Sequence, residues 1–132
     1  TQLHTHQPDE PWTPAVIMLH MGEAREHYTN DVNRLIDTDF QAIVGRSTDD
    51  PRRIAEIARA ADGRVDAAEI ALKLSTTQEL MVKAVMRVNN EDLGRPITLA
   101  RPGLPPMNVH DFLARFLVGH HRMHVDQLAA LL

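Results

Sequence analysis

Near its C-terminus the chain reads Phe116-Leu117-Val118-Gly119-His120-His121-Arg122-Met123-His124-Val125-Asp126-Gln127-Leu128. Apolar residues recur in this run with the periodicity of an amphipathic α-helix. An α-helix turns by about 100° per residue, so His120 and His124 lie one turn apart on the same face. Two imidazoles placed in this way can bind one metal ion. His121 projects about 100° away from His120, so we expect it to point elsewhere.

The face that carries His120 and His124 is otherwise mostly apolar. It also holds Phe112, Leu113, Phe116, Met123, Gln127, Leu128 and Leu131. Two histidines in the centre of a core-facing stripe are costly unless each has a partner. A metal ion shared by the two rings is one such partner, and a hydrogen bond between the rings is the other; we favour the metal ion. Asn108 is the expected N-cap of this helix, with Asp111 at the capping-box position.

The first predicted helix begins at Thr13 or Pro14 and runs to about Asp37, because Thr13 is a good N-cap and proline is favoured at the first helical position. One of its faces collects Val16, Ile17, His20, Ala24, Tyr28, Asp31 and Leu35. A single histidine in such a stripe is more often a hydrogen-bonded core residue than a metal ligand. The pair in the C-terminal helix makes His20 the preferred third ligand, and His27, two turns further on, is the alternative.

Two more helices are predicted in the middle of the chain. Asp50 caps the first, which starts at Pro51, ends near Gly63 and has Ile54, Ile57 and Ala58 on its buried face. The second covers about residues 64–88 and repeats apolar residues at helical spacing, at Val65, Ala68, Leu72, Leu80, Ala84 and Val88. Between these apolar groups, Ser75-Thr76-Thr77 either faces a central cavity or lies exposed on the helix surface.

The remaining segments are connections. Residues 38–50 have turn-forming composition, and residues 89–108 contain four prolines and two glycines, which forbid a helix. We expect Ile97-Thr98-Leu99 to be extended and to cover the end of the bundle. Residues 1–12 read as an extended lead-in whose histidines, His4 and His6, are solvated. The predicted architecture is therefore all-α: a lead-in at 1–12 and a single four-helix-bundle domain with long connections at 13–132.

Composition narrows the classes of partner. The chain has 132 residues, enough for one domain. Its formal net charge of −4, with Lys and Arg scattered, argues against a nucleic-acid partner. With no cysteine, it has neither a thiolate metal ligand nor a protein thiol nucleophile. No apolar run is long enough to span a membrane and no signal peptide is recognisable, so we expect no membrane partner and a cytoplasmic location.

Three segments, in the right order and spacing, are similar to the motifs of one protein family. They are Leu19-His20-Met21 with Glu23-Ala24-Arg25, Asn90-Glu91-Asp92-Leu93-Gly94-Arg95-Pro96-Ile97, and Asp111-Phe112-Leu113 through His120-x-x-x-His124-x-x-Gln127-Leu128. Through them the chain resembles the DinB/YfiT-like family of metal-binding four-helix bundles. The resemblance implies the metal ligands His20, His120 and His124. His121 is a departure, since many members have an acidic residue there.

The resemblance also implies a range of functions. Some members resemble thiol transferases that use bacillithiol, mycothiol or glutathione, and others are regarded as metal-dependent hydrolases. Three neutral imidazoles leave Zn²⁺ or Ni²⁺ an open position that lowers the pKa of a bound water or thiol. We therefore expect a metal-dependent S-transferase, using a small thiol such as mycothiol or bacillithiol, or a hydrolase, acting on a small-molecule substrate. The alternative is a non-catalytic metal-binding or dimerisation bundle, and a homodimer is expected at this size.

Overall fold

The computed structural model describes residues 2–131 and confirms the all-α class. Three of its helices are α1, Pro14–Asp37, α2, Pro51–Ala61, and α3, Ala67–Met86. The fourth, α4, covers residues 109–129. Helix α1 is the central element, since it packs against α2, α3 and α4. In the part of the chain that the structure describes, no helix combines the length and hydropathy that a membrane crossing requires.

The start of each helix is fixed by a side-chain cap, and three of these caps were predicted. Thr13 accepts a hydrogen bond from the backbone N–H of Val16, with Pro14 following as the first helical residue. Asp50 accepts from the first turn of α2, and Asn108 accepts from the N–H of Asp111 at 2.9 Å. Each cap satisfies backbone donors that have no partner inside the helix.

Helix α4 is not a uniform α-helix. It consists of an α-helical turn, Val109–Phe112, a π-helical segment, Leu113–Gly119, and a second α-helical segment, His120–Ala129. The N–H of His120 donates to the carbonyl of Arg115, five residues earlier, which is the π-helical pattern. A Cβ atom at Gly119 would lie 3.0 Å from the carbonyl oxygen of Ala114, so this glycine suits the widened turn. Sequence periodicity did not predict the π-helical segment.

A small sheet joins the two long connections. Its strands are β1, Ile43–Val44, β2, Pro96–Leu99, and β3, Met107–Asn108, in the order β1-β2-β3. Strands β1 and β2 are parallel, with Ile43 opposite Thr98, and β2 and β3 are antiparallel. The expected extended segment at 97–99 is confirmed, whereas β1 and β3 were not predicted. Residues of the sheet pack on the core around the C-terminal half of α1.

The apolar core has two parts that meet along α1. The smaller part surrounds the start of the helix and includes Val16, Leu19 and residues of α2 and α3. The larger part surrounds the second half of α1 and includes the aromatic residues of α4. His20 follows the smaller cluster and precedes Ala24 of the larger one, so it lies at the boundary between them.

Some burial predictions were wrong. Ile54 and Ala58 of α2 are exposed, and Ala60 is the residue that α2 buries completely. On α3 the predicted core residues Leu72 and Leu80 are 67% and 43% exposed. Helix α3 packs mainly against α1, and a helix with one close neighbour buries only a narrow stripe. That stripe is Ile70, Thr77 and Ala84, at seven-residue spacing.

The predicted division into a lead-in and a bundle stays a prediction. Gln2–His4 form a short 3₁₀ turn, and Glu10 and Trp12 contact the bundle. Thr1 and Leu132, which open and close the two predicted segments, lie outside the described residues.

Candidate metal centre

Helices α1 and α4 bring three histidines together in the interior of the bundle. Nε2 of His20 lies 3.3 Å from Nε2 of His120. One ligand nitrogen from each of His20, His120 and His124 lies within 4.8 Å of the other two. His20 and His124 are buried, and His120 is half-buried. The predicted juxtaposition of these residues is therefore confirmed, and their binding of an ion stays a prediction.

The spacing of the nitrogens fits a tetrahedral ion. With Zn–N bonds of about 2.0–2.1 Å and tetrahedral angles, two ligand nitrogens lie about 3.3 Å apart. The observed 3.3 Å between His20 and His120 matches that separation. The same distance also permits a hydrogen bond between two neutral rings, which is the alternative considered from the sequence. One such hydrogen bond joins only two rings, whereas three imidazoles converge here. The third ring therefore favours a shared ion over a single hydrogen bond.

A buried carboxylate sets the orientation of His20. Its Nδ1 lies 3.4 Å from Oε2 of Glu23, one turn further along α1. Arg46 binds both carboxylate oxygens of Glu23, with 2.7 Å between Nη2 and Oε2. Since Nδ1 of His20 faces a carboxylate, Nε2 is the nitrogen left for a ligand. A carboxylate behind a metal-binding imidazole is a recurrent arrangement in metalloproteins.

A second chain of polar contacts orients His124. Its Nδ1 lies 2.7 Å from Oε1 of Gln127, so the ring donates there and leaves Nε2 unprotonated. The amide of Gln127 donates to Glu10 at 2.9 Å, and Glu10 accepts from the backbone N–H of Trp12 at 3.0 Å. The indole of Trp12 stacks on the ring of His124, with centroids 5.9 Å apart. Sequence reasoning missed Glu10 and Trp12 as parts of the site.

Burial favours the neutral form of His120 and His124, and the neutral imidazole is the form that binds metals. Burial and then the neighbouring His124 and His20 lower the pKa of His120 to about 3. Burial also lowers the pKa of His124, although its hydrogen bond with Gln127 acts in the opposite direction. Burial raises the pKa of Glu23, but hydrogen bonds from Arg46 and His20 outweigh this and lower it to about 2. At neutral pH the carboxylate behind His20 is therefore ionised.

The other histidines discussed from the sequence lie outside this group. Nε2 of His27 lies 3.3 Å from a carboxylate oxygen of Asp31, four residues along the same helix. His121 lines a separate cavity between α3 and α4 and does not belong to the three-histidine group. The structure thus brings His20, and not the alternative His27, to the pair on α4.

The Ser75-Thr76-Thr77 run does not line the site. Ser75 and Thr76 are exposed, whereas Thr77 is buried against α1. The hydroxyl of Thr77 donates to the carbonyl of Lys73 at 2.8 Å and accepts from Nε of Arg25 at 3.0 Å. Thr77 therefore fixes the contact between α1 and α3.

An open cavity of about 410 Å³ adjoins the three histidines, and His20 and His120 form part of its wall. Small molecules from solvent can therefore reach these rings. Three converging imidazoles, with Nδ1 of His124 bound to Gln127 and Nδ1 of His20 facing Glu23, form a donor set that suits a divalent ion such as Zn²⁺ or Ni²⁺. The residues present fit the ion that the resemblance implies.

Comparison with known proteins gives one match. The family model of the DinB superfamily matches residues 1–128, a range that contains Glu10, Gln127 and all three histidines. No curated protein and no solved structure matches the chain. Since the family match covers nearly the whole sequence, the chain belongs to the DinB superfamily.

Proposed function

We propose that this protein is a metal-dependent enzyme that holds a divalent ion on His20, His120 and His124 and acts on a small-molecule substrate. The observation that carries the proposal is the meeting of three imidazoles, two with Nε2 atoms 3.3 Å apart, at the wall of an open cavity. A closed four-ligand site is typical of structural zinc, whereas three protein ligands beside an open cavity are typical of catalytic zinc.

The ion supplies the chemistry when it is bound, because an open coordination position lowers the pKa of a water or thiol. The chain's own residues orient the ligands: Glu23 faces Nδ1 of His20, and Gln127 accepts from Nδ1 of His124. The side chain of Tyr28, whose ring is 6.0 Å from that of His120, belongs to the same cavity wall. Burial raises the pKa of Tyr28, so it remains a hydrogen-bond donor at neutral pH.

Two reactions suit this arrangement. In the first, a low-molecular-weight thiol such as mycothiol or bacillithiol is the nucleophile of an S-transferase, since the chain has no cysteine of its own. In the second, water would be the nucleophile of a hydrolase, and an ion held by His20, His120 and His124 would supply the Lewis acidity that activates it. The cavity volume of about 410 Å³ suits either class of small molecule. A cytoplasmic location and the absence of a nucleic-acid partner are part of the proposal and rest on the sequence.

Metal content per chain, measured after purification and exhaustive dialysis, tests the proposal. We expect wild type to retain about one ion and the His20→Ala, His120→Ala and His124→Ala variants to lose most of it. His27→Ala and His121→Ala are matched controls that should retain the ion, because both rings lie outside the three-histidine group. Full retention by His20→Ala, or loss by His27→Ala, would contradict the assignment. A thiol-conjugation screen of the loaded protein then separates an S-transferase from a hydrolase.

A non-catalytic bundle is the alternative function. It predicts that the loaded protein holds its ion without turning over thiol acceptors or hydrolysable substrates. The open cavity beside the histidines favours the enzyme, because a purely structural ion has no need of access from solvent.

A further inference from the structure

The cavity beside the three histidines has an unusual charge. Four arginines line it, namely Arg46, Arg53, Arg101 and Arg115, together with Ser47 and Thr48. None of its lining residues within 2–131 is an aspartate or glutamate. The chain as a whole is acidic, with 18 Asp and Glu against 14 Lys and Arg. A concentration of positive charge in one cavity therefore does not follow from composition.

Most of this positive charge is uncompensated. Arg46 is neutralised by Glu23 behind the cavity wall. Within residues 2–131, no carboxylate oxygen lies within 4.0 Å of Arg53, Arg101 or Arg115. Five arginines elsewhere, Arg34, Arg59, Arg64, Arg87 and Arg95, each form an ion pair, whereas Arg25, Arg52 and Arg122 form none within residues 2–131. Arg53 donates one N–H to the carbonyl oxygen of Thr48 at 2.9 Å, so its remaining donors, together with Arg101 and Arg115, are available to a ligand.

The arginines come from separate parts of the chain. Arg46 lies in the first long connection and Arg101 in the second, whereas Arg53 belongs to α2 and Arg115 to the π-helical segment of α4. A solvated basic face on one helix would instead draw its residues from that helix alone. Aromatic rings hold two of them: Arg53 lies 5.9 Å from the ring centroid of Trp12, and Arg115 lies 5.6 Å from that of Phe116. The N–H donors of a guanidinium group lie in its own plane, so a group that packs over an aromatic ring can still donate to a ligand at its edge.

We propose that this cavity binds an anionic small molecule, with a carboxylate or phosphate group anchored by Arg53, Arg101 and Arg115. Planar guanidinium groups recognise both oxyanions through paired N–H donors. Because His20 and His120 belong to the same wall, the anchored molecule lies beside the ligand nitrogens. The reactive role of the anion rests on the proposed metal-dependent function, whereas its binding to the arginines does not.

Trp12 provides a built-in reporter, since it is the only tryptophan in the chain and one of the arginines lies over its ring. The probes are succinate, inorganic phosphate and the neutral analogue succinamide, each titrated at constant low ionic strength into the full-length protein. The titrations are repeated after metal removal, with the chelator removed, because an anion can also coordinate a bound ion. We expect saturable binding of succinate or phosphate and none of succinamide, and the two anions together distinguish a carboxylate site from a phosphate site.

The double variant Arg101→Gln/Arg115→Gln should bind the anion about tenfold or more weakly than wild type. Its metal content should equal that of wild type. Arg122→Gln is the control for the loss of one positive charge on α4, because Arg122 faces the separate cavity between α3 and α4. Arg53→Gln is measured by calorimetry, because it alters the surroundings of Trp12. His20→Ala should lose metal and still bind the anion, which separates this inference from the proposed function. Absence of saturable binding, or equal weakening by Arg122→Gln, overturns the inference.

Discussion

Glu23 and Gln127 act on the same atom, Nδ1, of two different histidines. Each lies three residues after the ring it contacts, so helical geometry alone places it one turn further on. The local signals for the site, the histidine spacing and the residues three positions on, were therefore readable in the sequence. Glu10 was not, because it is 117 positions from its partner Gln127 and only the fold brings the two together.

Removal of the Gln127 side chain tests the orientation of His124. In Gln127→Ala the ring loses its acceptor at Nδ1, so the tautomer protonated at Nε2, which cannot bind metal through that atom, becomes accessible. Metal affinity should therefore fall about tenfold. A competition titration against a chromophoric chelator measures this change. Gln78→Ala, an exposed glutamine on α3, should bind metal as wild type does. Unchanged affinity in Gln127→Ala would show that packing alone holds the ring.

Among the elements, α4 departs furthest from its predicted form. The caps of α1, α2 and α4 were predictable because a cap is a contact between near neighbours in sequence. The π-helical segment was not, since it depends on how α4 meets the rest of the bundle. It ends at Gly119, directly before His120, and so helps to determine where that ring points. The exposed faces of α3 were missed for a similar reason, because burial depends on which neighbours a helix has.

Gly119→Ala tests the role of the π-helical segment. Helix propensity alone predicts that alanine stabilises a helix by roughly 1 kcal/mol over glycine. The new Cβ would lie 3.0 Å from the carbonyl oxygen of Ala114, so we expect a loss of stability and weaker metal binding instead. Urea unfolding and a metal titration measure the two effects. Gly94→Ala is the control, because a Cβ there has open space; stabilisation of Gly119→Ala with full metal affinity would contradict the account.

On the scale of the whole molecule, apolar side chains remain exposed on α3 and α4. They include Leu72, Val82, Val85, Met86, Val118 and Val125. Apolar surface of this kind is typical of an interface, and we predict a homodimer through these helices. Light scattering should give twice the mass of one chain, and Val118→Glu should give a monomer. Ile54→Glu, on the exposed side of α2, should leave the dimer intact; a monomeric wild type would exclude this prediction.

Acid should destabilise the metal-free molecule. The folded-state pKa of His120 is about 3 against an ordinary 6.5, so below pH 6.5 the unfolded chain binds a proton that the folded chain does not. Glu23, lowered from 4.5 to about 2, contributes stability that is lost as the pH falls below 4.5. Both shifts act in the same direction, so the free energy of unfolding should decrease steadily from pH 7 to pH 4. Urea unfolding at each pH measures this decrease.

His120→Gln is the matched variant for that pH series. This substitution removes the ring whose pKa is lowered. The free energy of unfolding should therefore change less steeply between pH 6.5 and 4.5 than it does in wild type. Identical slopes in the two proteins would show that His120 is not responsible for the acid sensitivity.

The proposed metal centre holds one divalent ion among His20, His120 and His124. The most direct measurement is a crystal structure of the zinc-loaded protein with anomalous data collected at the zinc edge. We expect one strong anomalous peak, about 2.0–2.1 Å from a ring nitrogen of each of the three histidines. A peak that lacks any one of these ligands, or that lies on His27, His121 or the histidines of the N-terminal segment, would contradict this assignment.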